Sequence, residues 1–243
     1  MNRFRTDRPT AVTVGVLYIL ATAAGGVASA VAGAPRSLDE LAADQAGTLV
    51  GALALAVMSV ACMGVAVMLY PILRRDAATP IQHGLSVWYV GTRISEATLF
   101  LVGLTALLAA LDLGQTAAED PGAAPGAAAG AALLALFDYA WIAGQTIFCV
   151  GAAMLYWLLL RSGRVPRWLA LWGLVAAPLM LVAGFLLPIT GDPNSPASTL
   201  LYIPMGVQEM VLAIWLIGRG FRPTTADSPT FERSSSWTSS AVS

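Results

Sequence analysis

The sequence predicts an all-α protein, a polytopic bundle of six transmembrane helices with both termini cytoplasmic. Three observations point there. First, 57% of the 243 residues are hydrophobic and only 11% are charged, whereas a soluble domain carries roughly 25% charged residues to cover its surface. The mean hydropathy of +0.73 agrees. Second, six segments supply the about 20 apolar residues that about 30 Å of hydrocarbon requires. None shows the period-two alternation of an outer-membrane barrel strand. Third, the arginines mark alternate connections.

The chain divides into a basic N-terminus (1–8), a transmembrane domain (9–220) and a Ser/Thr-rich cytoplasmic tail (221–243). The tail is too polar to bury and is expected to be disordered. The spans are read at 11–34, 46–73, 81–113, 127–160, 166–187 and 198–218. The first imitates a signal peptide, with basic residues ahead of it and a small-residue site at Ala28, Ser29 and Ala30. Its apolar run exceeds the usual core of about 7–15 residues, so an intact helix is the stronger reading. The second span closes at Pro71. Between the third and fourth, the Ala/Gly/Pro run at 118–132 reads as a flexible external linker feeding the fourth helix. Pro178 and Pro204 stand inside the fifth and sixth spans, where each removes a backbone hydrogen bond and kinks its helix.

Cytoplasmic loops carry the excess of Lys and Arg. Arg3, Arg5 and Arg8, then Arg74 and Arg75, then Arg161, Arg164 and Arg167, then Arg219 and Arg222 all fall on one side of the threading. Asp39, Glu40 and Asp44 (against Arg36), then Asp112, Glu119 and Asp120, then Asp192 fall on the other. Small residues recur four apart at Gly47/Gly51, at Gly91/Ser95 and along Gly122, Gly126 and Gly130, a spacing that lets helix backbones approach in lipid. Packing within the chain is the expected use.

Many functions are excluded. A net charge of −1 leaves no basic excess to neutralise nucleic-acid phosphates. Two cysteines, Cys62 and Cys149, and one histidine, His83, cannot build a disulfide framework, an iron–sulfur cluster or a multi-histidine metal site. Both thiols read as buried and inert, and His83 as interfacial. No nucleophile elbow, P-loop, zinc-protease helix or dinucleotide fingerprint is present, so no cofactor, metal or catalytic residue is expected.

Four ionisable residues fall inside spans: Arg93 and Glu96 in the third, Asp138 in the fourth and Glu209 in the sixth. Charge within a membrane is a functional pointer by default. Arg93 and Glu96 stand three apart on one helix face, in a stripe with Ser86, Tyr89 and Phe100. Asp138, Trp141, Gln145 and Cys149 form a second stripe, and Tyr202, Gly206 and Glu209, with Gln208 beside them, a third. The three stripes are expected to face one another. Arg93 is expected to bridge Glu96 and Glu209 with its five-donor fork. Fully ionised, the four groups sum to −2, so either water reaches them or a carboxyl holds a proton.

LYPILRR at the end of the second span, TRISEATLFLVGL in the third, RVPRWLALWGL entering the fifth and IPMGVQEMVLAIWLIGRGF in the sixth occur in that order. This series resembles the bacterial multi-pass membrane family known as domain of unknown function 4386, from roughly Arg8 to Phe221. The family commonly closes its last helix with Lys-Gly-Phe, and here Arg219-Gly220-Phe221 keeps the charge. The resemblance implies a six-helix protein of the bacterial cytoplasmic membrane and carries no activity with it.

The favoured function is a non-enzymatic bundle that binds or senses a small-molecule or lipid-like ligand at a midplane cluster of Arg93, Glu96, Glu209, Asp138, Tyr89, Gln145, Gln208 and Tyr202. A small proton-coupled transporter is the alternative, held back by the lack of an inverted repeat. An intramembrane enzyme, with only Ser95, Tyr89 and Cys149 as candidate reactive groups, comes third. The expected partners are membrane lipids and not nucleic acid. Single cysteines placed at Ser37 and Ser195, in a chain lacking Cys62 and Cys149, should react with an impermeant maleimide on intact cells. Protection of both sites would reverse the orientation.

Overall fold

The computed structural model describes residues 4–32, 37–119, 127–190 and 196–224. They form α1 (Phe4–Ala32), α2 (Leu38–Ala43), α3 (Gln45–Asp76), α4 (Pro80–Glu119), α5 (Ala127–Ser162), α6 (Arg167–Thr190) and α7 (Pro196–Gly218), with no strand among the described residues. All but α2 are long and apolar enough to cross a membrane, which gives the six spans. The linker at 120–126 with Gly122 and Gly126, Asp192 and Ser195, and the tail from 225 onward lie outside the described residues.

The spans follow the hydropathy, yet the helices outrun it. At 1.5 Å per residue, the 40 residues of α4 cover about 60 Å. The second span does not close at Pro71: α3 continues to Asp76. One lost backbone bond near a helix end is tolerable, and ion pairs of Arg75 and Asp76 hold the turn beyond it.

Hydropathy gives no sign of α2, which is six residues long and acidic. Its local signal is a capping box. The Ser37 hydroxyl accepts from the Glu40 amide at 3.2 Å, and the Glu40 carboxylate accepts from the Ser37 amide at 2.9 Å. Leu41 is buried, and the Leu38 carbonyl lies against Gly114 of α4, where a side chain would collide with it. Asp44 then caps α3 by accepting from the Gly47 amide at 3.0 Å.

The six long helices close into a ring, each against the next, in the order α1, α3, α4, α5, α6, α7 and back to α1. Glycines mark close approaches. Gly173 of α6 faces the Tyr156 ring of α5, and Gly151 of α5 faces the Thr92 hydroxyl of α4, each too close for a further side-chain atom. Gly91 and Ser95 do not serve such a seam, since both are exposed and nothing stands near Gly91.

One end of the ring is tied by charge. Arg8 donates to the carbonyls of Gly218 and Ile217, at 3.1 and 2.8 Å, joining the start of α1 to the end of α7. Arg75 of α3 grips Asp7 of α1 through two hydrogen bonds, of 3.2 and 2.5 Å. Gly163 ends α5 with φ 70°, a left-handed conformation that suits glycine, and turns Arg164 back into the protein. Arg164 is 1% exposed and holds both oxygens of Asp76 at 2.5 Å. It also donates to the Arg222 carbonyl at 3.2 Å, while the Arg222 amide donates to the Arg164 carbonyl at 2.8 Å. Arginines read from the sequence as orientation signals are therefore also fasteners. Asp76→Ala would leave Arg164 with the more distant Asp7 carboxylate, at 3.7 Å, and removing one member of a buried pair costs about 3–5 kcal/mol. The variant should melt well below the parent in detergent, by circular dichroism, whereas Arg167→Ala, at an exposed position, should melt with it.

Candidate functional site

Arg93 and Glu96 meet as their spacing predicts. Arg93 Nη1 lies 2.8 Å from Glu96 Oε2, and the residues are only 2% and 1% exposed. The guanidinium carbon stands 4.6 Å from the centre of the Phe148 ring of α5 and 5.7 Å from that of Tyr89. Aromatic faces attract a cation most where water is excluded. The Cys62 thiol of α3 adjoins Glu96.

Hydrogen bonding around the pair is incomplete. Arg93 Nε and the hydroxyls of Tyr89 and Tyr18 are buried and have no hydrogen-bond partner among the described residues. Tyr18 of α1, Tyr89 and Arg93 of α4, Tyr156 of α5 and Glu209 of α7 lie close enough to interact electrostatically. Polar groups from four helices thus gather at the centre of the ring.

The expected bridge from Arg93 to Glu209 is not formed. No ion pair within 4 Å joins them among the described residues, and Glu209 instead accepts from the Thr22 hydroxyl of α1 at 3.2 Å. Ring order is the reason. Glu209 sits on α7, whose neighbours are α6 and α1, not α4. Glu209 is half-buried, in the seam between α7 and α1.

The remaining candidates separate. Gln208 is fully buried, accepts from the Tyr156 hydroxyl at 2.6 Å and donates to the Leu169 carbonyl at 3.2 Å. Gln145 accepts from the Tyr202 hydroxyl at 2.8 Å and donates to the Met180 carbonyl at 3.2 Å. The second and third stripes therefore meet each other, and each glutamine knits α5, α6 and α7. Asp138 is exposed on α5, whose buried positions at that level are Phe137 and Ala140. Ser95 is likewise exposed, on the face of α4 away from Glu96.

Sequence reasoning missed Tyr18, Thr22, Cys62, Phe148 and Tyr156. Tyr18 and Thr22 carried one available signal: they stand four apart on a single face of the first helix.

A ring of six membrane-crossing helices around a buried ion pair defines a polytopic helical membrane protein. The chain belongs to the family described as Domain of unknown function (DUF4386), which matches residues 13–220. No curated protein and no solved structure matches it.

Arg93→Ala would leave the Glu96 carboxylate buried without its cation, at a cost of about 3–5 kcal/mol. Glu96→Gln retains an oxygen acceptor for Arg93. Thermal unfolding in detergent should therefore rank the parent above Arg93→Ala, and above Glu96→Gln, which leaves the buried Arg93 cation without its anion. Equal melting of Arg93→Ala and the parent would show that the pair adds no stability.

Proposed function

We propose that this protein is a non-enzymatic binding or sensing bundle of the bacterial cytoplasmic membrane, with both termini inside, that takes a small polar ligand at the centre of its ring. One observation carries the reading: Arg93 Nε, Tyr18 Oη and Tyr89 Oη are buried without a hydrogen-bond partner among the described residues. In a membrane interior, where water is scarce, each unsatisfied polar group costs several kcal/mol. A guest bearing hydrogen-bond acceptors would relieve all three. Glu96 and Glu209 flank the position, so a further anion would meet like charge and an uncharged acceptor is the better fit. The cation is already balanced by Glu96, and what Arg93 has left to offer is a donor.

Tyr18→Phe and Tyr89→Phe each remove one hydroxyl and leave the ring. Parent protein purified from membranes should release an uncharged, oxygen-rich small molecule on solvent extraction, detected by mass spectrometry at near one per chain. The double variant should release much less. Identical extracts from equally folded proteins would overturn the reading.

A second reading, proton-coupled transport, is favoured by Glu209, a half-buried carboxylate deep in the membrane whose partner is a single threonine hydroxyl. It predicts proton uptake into proteoliposomes that Glu209→Gln abolishes.

A further inference from the structure

At the end of the ring tied by charge, a groove of about 380 Å³ lies between α3 and α4, lined by Tyr70 and Arg74 and by His83, Gly84, Ser86 and Val87. Its depth follows from helix geometry. His83 precedes Arg93 by ten residues, about 15 Å along α4. With Arg93 at mid-depth, the groove falls at the edge of a hydrocarbon layer about 30 Å thick. Headgroup phosphates lie at that level.

Arg74, like Arg167 outside the groove, is set apart from the other described arginines of this end. Arg8, Arg75 and Arg164 are spent on intramolecular hydrogen bonds, and Arg161, Arg219 and Arg222 lie over tryptophan rings. Arg74 is exposed, and no ion pair, ring contact or side-chain hydrogen bond engages it among the described residues. Its planar fork suits two phosphate oxygens at once. Across the groove, His83 offers a ring N–H and Tyr70 a hydroxyl.

The surface running from the groove toward the membrane centre is apolar. On α3 it presents Val67 and Val60, and on α4 Val87, Trp88 and Ile94, all exposed. Gly84 and Gly91 lie on the same outer side of α4, and a Cβ added at either would meet nothing. Together with Ser95 they leave a shallow track, seven and then four residues apart. A small-residue spacing that serves no seam inside the chain lies beneath an unpaired cation.

We propose that the α3–α4 groove binds the phosphate of an anionic phospholipid, through Arg74 with His83 and Tyr70, with an acyl chain lying along the outer face of α4. The apolar track selects a lipid over a free phosphate, which would gain nothing from it. Basic pockets between membrane helices on the cytoplasmic side are suited to such headgroups.

The test is native mass spectrometry of the full chain in detergent with equimolar phosphatidylglycerol and phosphatidylcholine. The parent should retain phosphatidylglycerol preferentially. Arg74→Gln should reduce that preference about fivefold, the worth of one basic side chain at a charged membrane surface. Gly84→Leu, which fills the groove, should reduce it as well. Both variants should melt with the parent, since Arg74 holds no side-chain partner among the described residues and Gly84 faces open space. Arg167→Gln, an exposed arginine outside the groove, should keep the preference. Millimolar inorganic phosphate should not displace the lipid. The proposal is overturned by unchanged retention in Arg74→Gln, by an equal loss in Arg167→Gln, or by displacement with phosphate alone.

Discussion

Between α1 and α7 the backbones come together at Gly15, where an added Cβ would stand 2.6 Å from a side-chain carbon of Ile217 and 2.8 Å from the carbonyl of Ala213. Lipid tails are as apolar as leucine, so contact of this kind, and not hydrophobic exclusion, holds membrane helices together. The approach brings the last helix back to the first. It closes the ring, sets Arg8 under the carbonyls at the end of α7, and turns Glu209 toward Thr22. Had α7 packed on α4 instead, Glu209 would face Arg93. The surroundings of Glu209 thus depend on a close approach that a glycine permits.

The ring encloses two apolar cores, not one. Toward the charged end, Val14 and Tyr18 of α1 pack with Val65 to Leu73 of α3, Leu155 to Leu159 of α5, and residues of α6 and α7. Toward the other end, Ala24 and Ala28 pack with Leu41, Leu55, Met58, Leu107 and Phe137. Arg93 and Glu96 fall between Tyr89 of the first core and Phe100 of the second. A pair costly to desolvate occupies the level where the apolar packing changes hands. Replacing buried pairs by apolar residues is often neutral or stabilising, so stability alone is a weak reason for this one.

Properties that depend on a single helix were legible in the sequence; those that depend on which helices are neighbours were not. Span number followed from hydropathy, and the Arg93–Glu96 pair from a three-residue step along one helix. Glu209 was given Arg93 as partner and pairs with Thr22 instead, because position along a helix can be read from the sequence and ring order cannot. The neighbour of Cys62 was missed because its surroundings along the chain are apolar, while the carboxylate beside it comes from α4. Tyr18 was lost for the same reason. The arginines of the basic end were read for their sum, as an orientation signal, whereas their individual partners depend on a turn at Gly163 and a carboxylate far away in the chain at Asp76.

The length of α4 has a consequence for the shape the protein presents. From Arg93 the helix runs thirteen residues to Pro80 and twenty-six to Glu119, about 20 Å one way and about 39 Å the other. A bilayer centred on Arg93 would leave α4 nearly flush on the charged side. On the opposite side it would rise some 20 Å clear of the hydrocarbon, with α2 braced against its flank. Such a stalk carries its own hydrogen bonds and needs no loop domain to reach past the headgroups. With the bilayer so centred, its two sides would meet different objects: a low, arginine-studded floor on one and a projecting helical tower on the other.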